Sequence, residues 1–302
     1  MPIEYTHLFT KIVASVIFLI FTSSICYAKA VKVEEIITEA GEWQGNISLS
    51  YTNIHKKEGK TSSSLIELPG GIITSIPFFI GEEKVNEDLL SYSFMLKRGL
   101  TKGLELYSFV NLFSDFRRIT LNNQTNSEDT HKFDLFGVGA SYQILKEDKY
   151  PALIASLSAH ALDNERFTTG YNMNYFKTYS IGLISYYTVD PVVFLLQGRY
   201  QLNLKRTKGT ESINPAEIFS LSPQIYFAVN PYTTINWGLK WTIQGKSSIN
   251  EEITSATTTD VSYLFGFGYE LKKDQTMSMD VEFKNTSDLT QSTVGLKLTW
   301  RF

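Results

Sequence analysis

From Trp43 to Phe302, apolar and polar residues alternate with period two, in runs of about ten to fourteen residues broken by turn-forming clusters. The C-terminal third shows this most plainly. Ile235, Trp237, Leu239, Trp241 and Ile243 fall on one face, with Thr234, Asn236, Gly238, Lys240, Thr242 and Gln244 on the other. Next, Val261, Tyr263, Phe265, Phe267 and Tyr269 oppose Asp260, Ser262, Gly266, Gly268 and Glu270. Met277, Met279, Val281 and Phe283 then oppose Ser278, Asp280, Glu282 and Lys284. The last run sets Val294, Leu296, Leu298, Trp300 and Phe302 against Thr293, Gly295, Lys297, Thr299 and Arg301.

Two architectures produce such a string. A soluble sandwich turns its apolar face to a core, and a membrane barrel turns it to lipid. Three features favour the barrel. The runs exceed the usual five or six residues of globular strands. Aromatic residues gather toward strand ends, as in interface girdles. The chain also stops on Phe302, which completes the final alternation.

Strands are predicted near 43–55, 86–98, 104–118, 131–145, 151–163, 173–188, 192–206, 217–229, 232–246, 259–271, 276–285 and 291–302. The connections between them sort by parity. Gly99 to Gly103, Lys146 to Tyr150, Val189 to Pro191, Asn230 to Pro231 and Lys272 to Gln275 are tight turns. Leu121 to Thr130, Asn164 to Asn172, Thr207 to Ala216 and Gly245 to Thr258 are longer and polar. Short periplasmic turns alternating with long external loops are what a barrel requires, and a sandwich has no reason to alternate them. The expected fold is therefore all-β: an antiparallel transmembrane β-barrel of about twelve strands, residues 43–302, with N- and C-termini periplasmic.

Composition narrows this only partly. Hydrophobic residues make up 43% and charged residues 20%, which excludes a disordered chain and a helical membrane protein. Aromatics reach 14%, with 17 Tyr and 20 Phe, as half-buried pleats and headgroup boundaries favour. A net charge of -3 gives no reason to expect nucleic acid. The start of the chain reads as a targeting segment. Lys11 precedes the apolar run Ile12 to Phe21, and Cys26-Tyr27-Ala28 offers a cleavage point after Ala28, with Ala30 as the alternative. Residues 1–28 are thus expected to be a cleaved signal peptide, and 29–42 a short periplasmic segment, either one helix or a flexible start. Cys26 is the single cysteine, so the mature chain would carry no disulfide and no thiol.

The stretch Tyr92 to Phe109, YSFMLKRGLTKGLELYSF, carries the turn RGLTKGLEL. This resembles the hairpin of the outer-membrane channels grouped with meta-pathway phenol degradation. Gly137 to Leu145, GVGASYQIL, is similar to a strand of the same family, with Ala140 where the family often has Asp. Pro151-Ala152-Leu153, Asp190-Pro191-Val192, Ile213-Asn214-Pro215 and Asn230-Pro231 fall where similar turn dipeptides occur. The resemblance spans most of residues 90–302 and implies a channel passing hydrophobic or aromatic compounds.

Parity also assigns an interior. Arg199, Lys240, Glu270, Asp280, Glu282, Lys297 and Arg301 are the pore-lining candidates, with Glu105, Lys246 and Lys284 alongside. Eight-stranded barrels are filled by side chains and much larger ones hold open channels, so twelve strands suggest a constricted passage. The expected function is an outer-membrane channel for passive passage of small molecules, hydrophobic or aromatic ones included. A barrel hydrolase and a closed structural or surface-binding barrel are the alternatives. The segment Lys56 to Val85 is unusually apolar for a loop, with Leu65, Ile73, Phe78 and Phe79. It either folds into the barrel mouth as a plug or extends the first hairpin beyond the membrane, and the extension is slightly preferred.

Enzyme motifs are sparse. Ser158 and His160 share a strand face and invite a lipase reading, but parity puts both inside. No pattern calls for a cofactor or metal. The expected partners are outer-membrane lipids and the outer-membrane assembly machinery, which would read the last strand ending in Phe302.

Overall fold

The structure, a computed structural model, describes residues 36–302 except 57–61, 69–70, 79–84, 122–123, 168–169 and 287–288. The proposed signal peptide lies outside the described residues. In chain order the strands are β1 (Trp43–Lys56), β2 (Ser62–Leu68), β3 (Ile72–Phe78), β4 (Val85–Thr101), β5 (Leu104–Leu121), β6 (Gln124–Leu145) and β7 (Ala152–Phe167). They continue with β8 (Gly170–Asn174), β9 (Thr178–Val189), β10 (Val192–Asn203), β11 (Arg206–Lys208), β12 (Glu211–Asn214) and β13 (Ile218–Asn230). The last are β14 (Thr233–Gln244), β15 (Ser247–Ile249), β16 (Glu252–Ser255), β17 (Thr258–Lys272), β18 (Gln275–Asn285) and β19 (Leu289–Arg301).

Twelve of these form a closed antiparallel ring in the order β6-β5-β4-β1-β19-β18-β17-β14-β13-β10-β9-β7, and β7 returns to β6. All twelve predicted strands are present. The seam runs between the first and last ring strands, from Gln44 opposite Arg301 to Lys56 opposite Leu289. Trp43 and Phe302 fasten its end with two backbone hydrogen bonds of 2.9 and 3.0 Å. Closure leaves no unpaired strand edge, which a bilayer interior would penalise.

Alternation explains why the ring holds this shape. On β1, Ile47, Leu49 and Tyr51 face outward and exposed, whereas Gln44, Asn46, Ser48, Ser50 and Thr52 are buried inside. The same division runs round the wall through Phe94, Leu157, Ile181, Phe194, Trp237, Phe265 and Leu298, all exposed outward. An outer surface so apolar, above an inner face so polar, is inside out for water and suits lipid.

Two bulges in the body of the wall alter the register, and only the folded chain reveals them; the other register shifts of the ring lie beside the short turns. The β6–β7 ladder skips Ala161, so His160 is buried below it and Asp163, Glu165 and Phe167 are buried above. The β5–β6 ladder skips Asp134, which leaves Asp134 and Leu135 both buried. A third departure concerns the strand predicted over 173–188. Its ring portion begins only at Thr178, because Gly170–Asn174 pairs back on the top of β7 as β8.

The long connections also fold. Strands β11, β12, β15 and β16 make a four-stranded sheet beyond the ring. Arg206 of β11 anchors it, reaching Asp163 Oδ2 at 2.8 Å and Glu165 Oε2 at 3.2 Å at the upper rim of β7. Lys246, expected in the wall, lies past the end of β14 and is exposed, because that strand stops at Gln244.

Candidate functional site in the barrel lumen

The inner wall has two unlike halves. Over β4–β7 it is crowded: Leu89, Met95, Tyr107, Phe109, Phe113 and Leu135 form one buried cluster. These apolar residues sit where strict alternation predicts polar ones. Space for them comes from glycine. Phe109 lies over Gly137 and Tyr107 over Gly139, where an added Cβ would stand 2.1 and 2.3 Å from the rings. Some of the polar groups in this half pair with one another. Ser91 and Ser93 donate to Asn111 Oδ1 at 2.7 and 2.9 Å, and Asn111 Nδ2 donates to Asp134 at 2.6 Å.

Residues 36–42 enter this half from the short-turn end. The short helix or flexible start expected here is replaced by a bent strap laced to the wall. The Thr38 backbone N–H and hydroxyl both donate to Glu105 Oε2 at 2.9 Å, and Lys97 Nζ holds the other carboxylate oxygen at 3.1 Å. Ala40 bridges Gly99, and Gly41 N donates to Gly99 O at 2.9 Å. Ile36 and Ile37 pack inside against the cluster of Ala152, Ile154, Tyr186 and Val193. The segment therefore lies partly within the ring and not wholly beyond it.

The apolar segment 56–85 behaves in the same way from the long-loop end, which corrects the slightly preferred extension. Leu65, Ile73 and Phe78 lie on the β2–β3 hairpin, paired from Ser62 opposite Phe78 to Leu68 opposite Ile72, while Phe79 lies outside the described residues. This two-stranded sheet does not continue the ring. At its turn, Gly71 O accepts a 3.3 Å hydrogen bond from Gln197 Nε2, midway along β10. A hairpin extending outward could not reach that depth.

Between the two inserted segments the opposite half of the lumen keeps a cavity of about 310 Å³. Ile36 and Gly71 both border it, and Gln197, Gln224, Asp280, Glu282 and Lys297 are among its wall residues. Of the sequence candidates, Asp280, Glu282 and Lys297 meet here. Lys240 is 1% exposed and donates to Glu282 Oε2 at 2.7 Å, so it supports the wall from behind. Arg199 is buried on β10 between Gly182 and Ser220. Glu270 and Arg301 instead sit near the short-turn rim, beside the turn that follows Lys272. Sequence reasoning missed the strap residues Ile36, Ile37 and Thr38, and the amide residues Gln197 and Gln224. Inward parity on β10 and β13 would have found the last two.

Ser158 and His160 both point inward, as parity required. His160 packs edge-on against Phe109 at 5.9 Å with Asp163 Oδ2 at 4.0 Å from its Nδ1, but its Nε2 has no hydrogen-bond partner among the described residues. Ser158 turns to the Tyr107 hydroxyl instead. No base–nucleophile pair is assembled there.

No protein-family model matches the sequence, and neither does any curated protein. Solved structures do. An outer membrane channel from Pseudomonas putida is 12% identical with a TM-score of 0.60, over 88% of this chain and 97% of that one. The translocator domain of autotransporter NalP from Neisseria meningitidis is 5% identical with a TM-score of 0.50, over 88% and 91%. The β domain of the Bordetella autotransporter BrkA is 10% identical with a TM-score of 0.50, over 86% and 99%. At these identities the likeness establishes the fold, a closed twelve-stranded membrane barrel.

Proposed function

We propose that the chain is a bacterial outer-membrane channel for passive passage of small molecules, with short turns and both ends of the ring facing the periplasm. One observation carries this reading: a closed barrel of twelve strands retains a cavity of about 310 Å³ at mid-depth, with charged and amide side chains in its wall. A barrel that served only as a scaffold would gain stability by filling that volume. The inserted segments at either end make the resting state narrow, and solute passage then requires one or both to move aside. Outer-membrane placement is supported by the even strand number and the apolar outer belt. Phe302 at the seam is the element that the assembly machinery would read.

Reconstitution into a planar bilayer tests the proposal. The wild-type protein is expected to give small discrete conductance steps. Removing Ser62 to Phe78 is expected to enlarge them several-fold, because the hairpin occupies the lumen down to Gln197. A silent bilayer for both proteins would leave the closed structural barrel as the function.

A further inference from the structure

The charged groups around the cavity do not all neutralise one another. Lys240 and Glu282 pair directly. Asp280 and Lys297 feel each other's charge, yet neither makes a hydrogen bond or ion pair among the described residues. They stand on adjacent strands, Asp280 opposite Gly295 and Lys297 opposite Ser278. Diagonal neighbours of this kind lie about 7–8 Å apart at the backbone, too far to be forced together but near enough to share one small molecule.

A second feature shapes the negative end. Asn236, Gly266 and Asp280 form one row across β14, β17 and β18. Gly266 has no side chain, and Asn236 Oδ1 and Asp280 Oδ1 converge to within 2.2 and 2.6 Å of the point where its Cβ would be. The amide orientation is set by its neighbours. Asn236 Nδ2 donates to Gln224 Oε1 at 3.5 Å, which also accepts from the Tyr226 hydroxyl at 3.1 Å. Two acceptors therefore meet at one notch with no donor between them among the described residues, an arrangement that favours a ligand N–H.

We propose that this cavity binds a small zwitterionic solute of amino-acid size, with its ammonium at Asp280 and Asn236 and its carboxylate at Lys297. The proposal rests on the channel reading and narrows its substrate class. Asp280, Glu282 and Lys297 line the space and Lys240 neutralises Glu282 from behind, which leaves one unpaired charge of each sign among the described residues, so a simple cation or anion gains at one end what it loses at the other. A solute carrying both charges gains at both ends. A hydrocarbon would meet Ile36, Ile184 and Leu195 but would strip water from Asp280 and Lys297 without replacing it, so the hydrophobic permeant implied by resemblance is disfavoured at the charged end of the cavity.

Titration calorimetry of the full chain in detergent, with L-serine as probe, tests the site separately from conductance. Wild type is expected to bind L-serine, and propionate, ethylammonium and toluene at least tenfold more weakly. Asp280→Asn and Lys297→Gln are each expected to weaken serine binding tenfold or more, and two separate substitutions guard against one misfolding. Undetectable serine binding, equal binding of the singly charged probes, or binding untouched by both substitutions overturns the site. Serine binding in a protein that shows no conductance steps would sink the channel and keep the site.

Discussion

At the scale of single residues, Gly99 has a specific role. A Cβ there would stand 1.9 Å from the Glu39 carbonyl oxygen, because the N-terminal strap crosses the wall at that point. Gly99→Ala should push the strap off its seat while leaving the ring intact. Larger conductance steps and protease cleavage near residue 40 are the expected readouts, and unchanged values for both would show that the strap tolerates the methyl group. The glycine was visible in the RGLTKGLEL turn, but its reason was not, since its partner lies some sixty residues earlier in a stretch without periodicity. Ile36 and Ile37 were hidden for the same cause: two apolar residues among acidic ones do not announce that they fill a lumen. Parity did locate Ser158, His160, Asp280 and Lys297 inside, because a side chain on a strand has only two faces. It failed beyond Ala161 and Asp134, where one skipped residue exchanges them.

At the scale of elements, the ring strands were legible because each must alternate across the bilayer, and their hairpin turns carry Gly, Pro, Asn and Asp. The strands beyond the membrane were not, being three to five residues long and free of that requirement. The outer four-stranded sheet depends on Arg206, a buried cation shared by two buried carboxylates. Removing it strands both acids, a change that costs about 3–5 kcal/mol in comparable settings. Arg206→Met should therefore loosen the sheet and expose residues 206–214 and 247–255 to external protease, with the ring still resistant to denaturant. Equal protease resistance in the variant and wild type would show that strand pairing alone holds the sheet.

At the scale of the whole molecule, stability follows from turning the apolar face to lipid. Trp237, midway along β14 and 48% exposed, samples that environment directly. Trp237→Arg should cost about 2–4 kcal/mol in lipid vesicles, as an arginine near the midplane does in other barrels. Equilibrium unfolding in urea would measure it, and a loss below half a kcal/mol would place that ring outside the hydrocarbon. The inserted segments act on the same scale. The strap approaches from one end and the hairpin from the other, and Ile36 and Gly71 border the same cavity. In the channel proposed above, such a passage works as an airlock. If the two doors move independently, the resting leak falls as the product of two small opening probabilities, so the envelope stays tight even though neither door need close firmly. A solute that steadies one door open raises passage in proportion to that door alone, which makes the traffic follow the cargo and not the width of the wall.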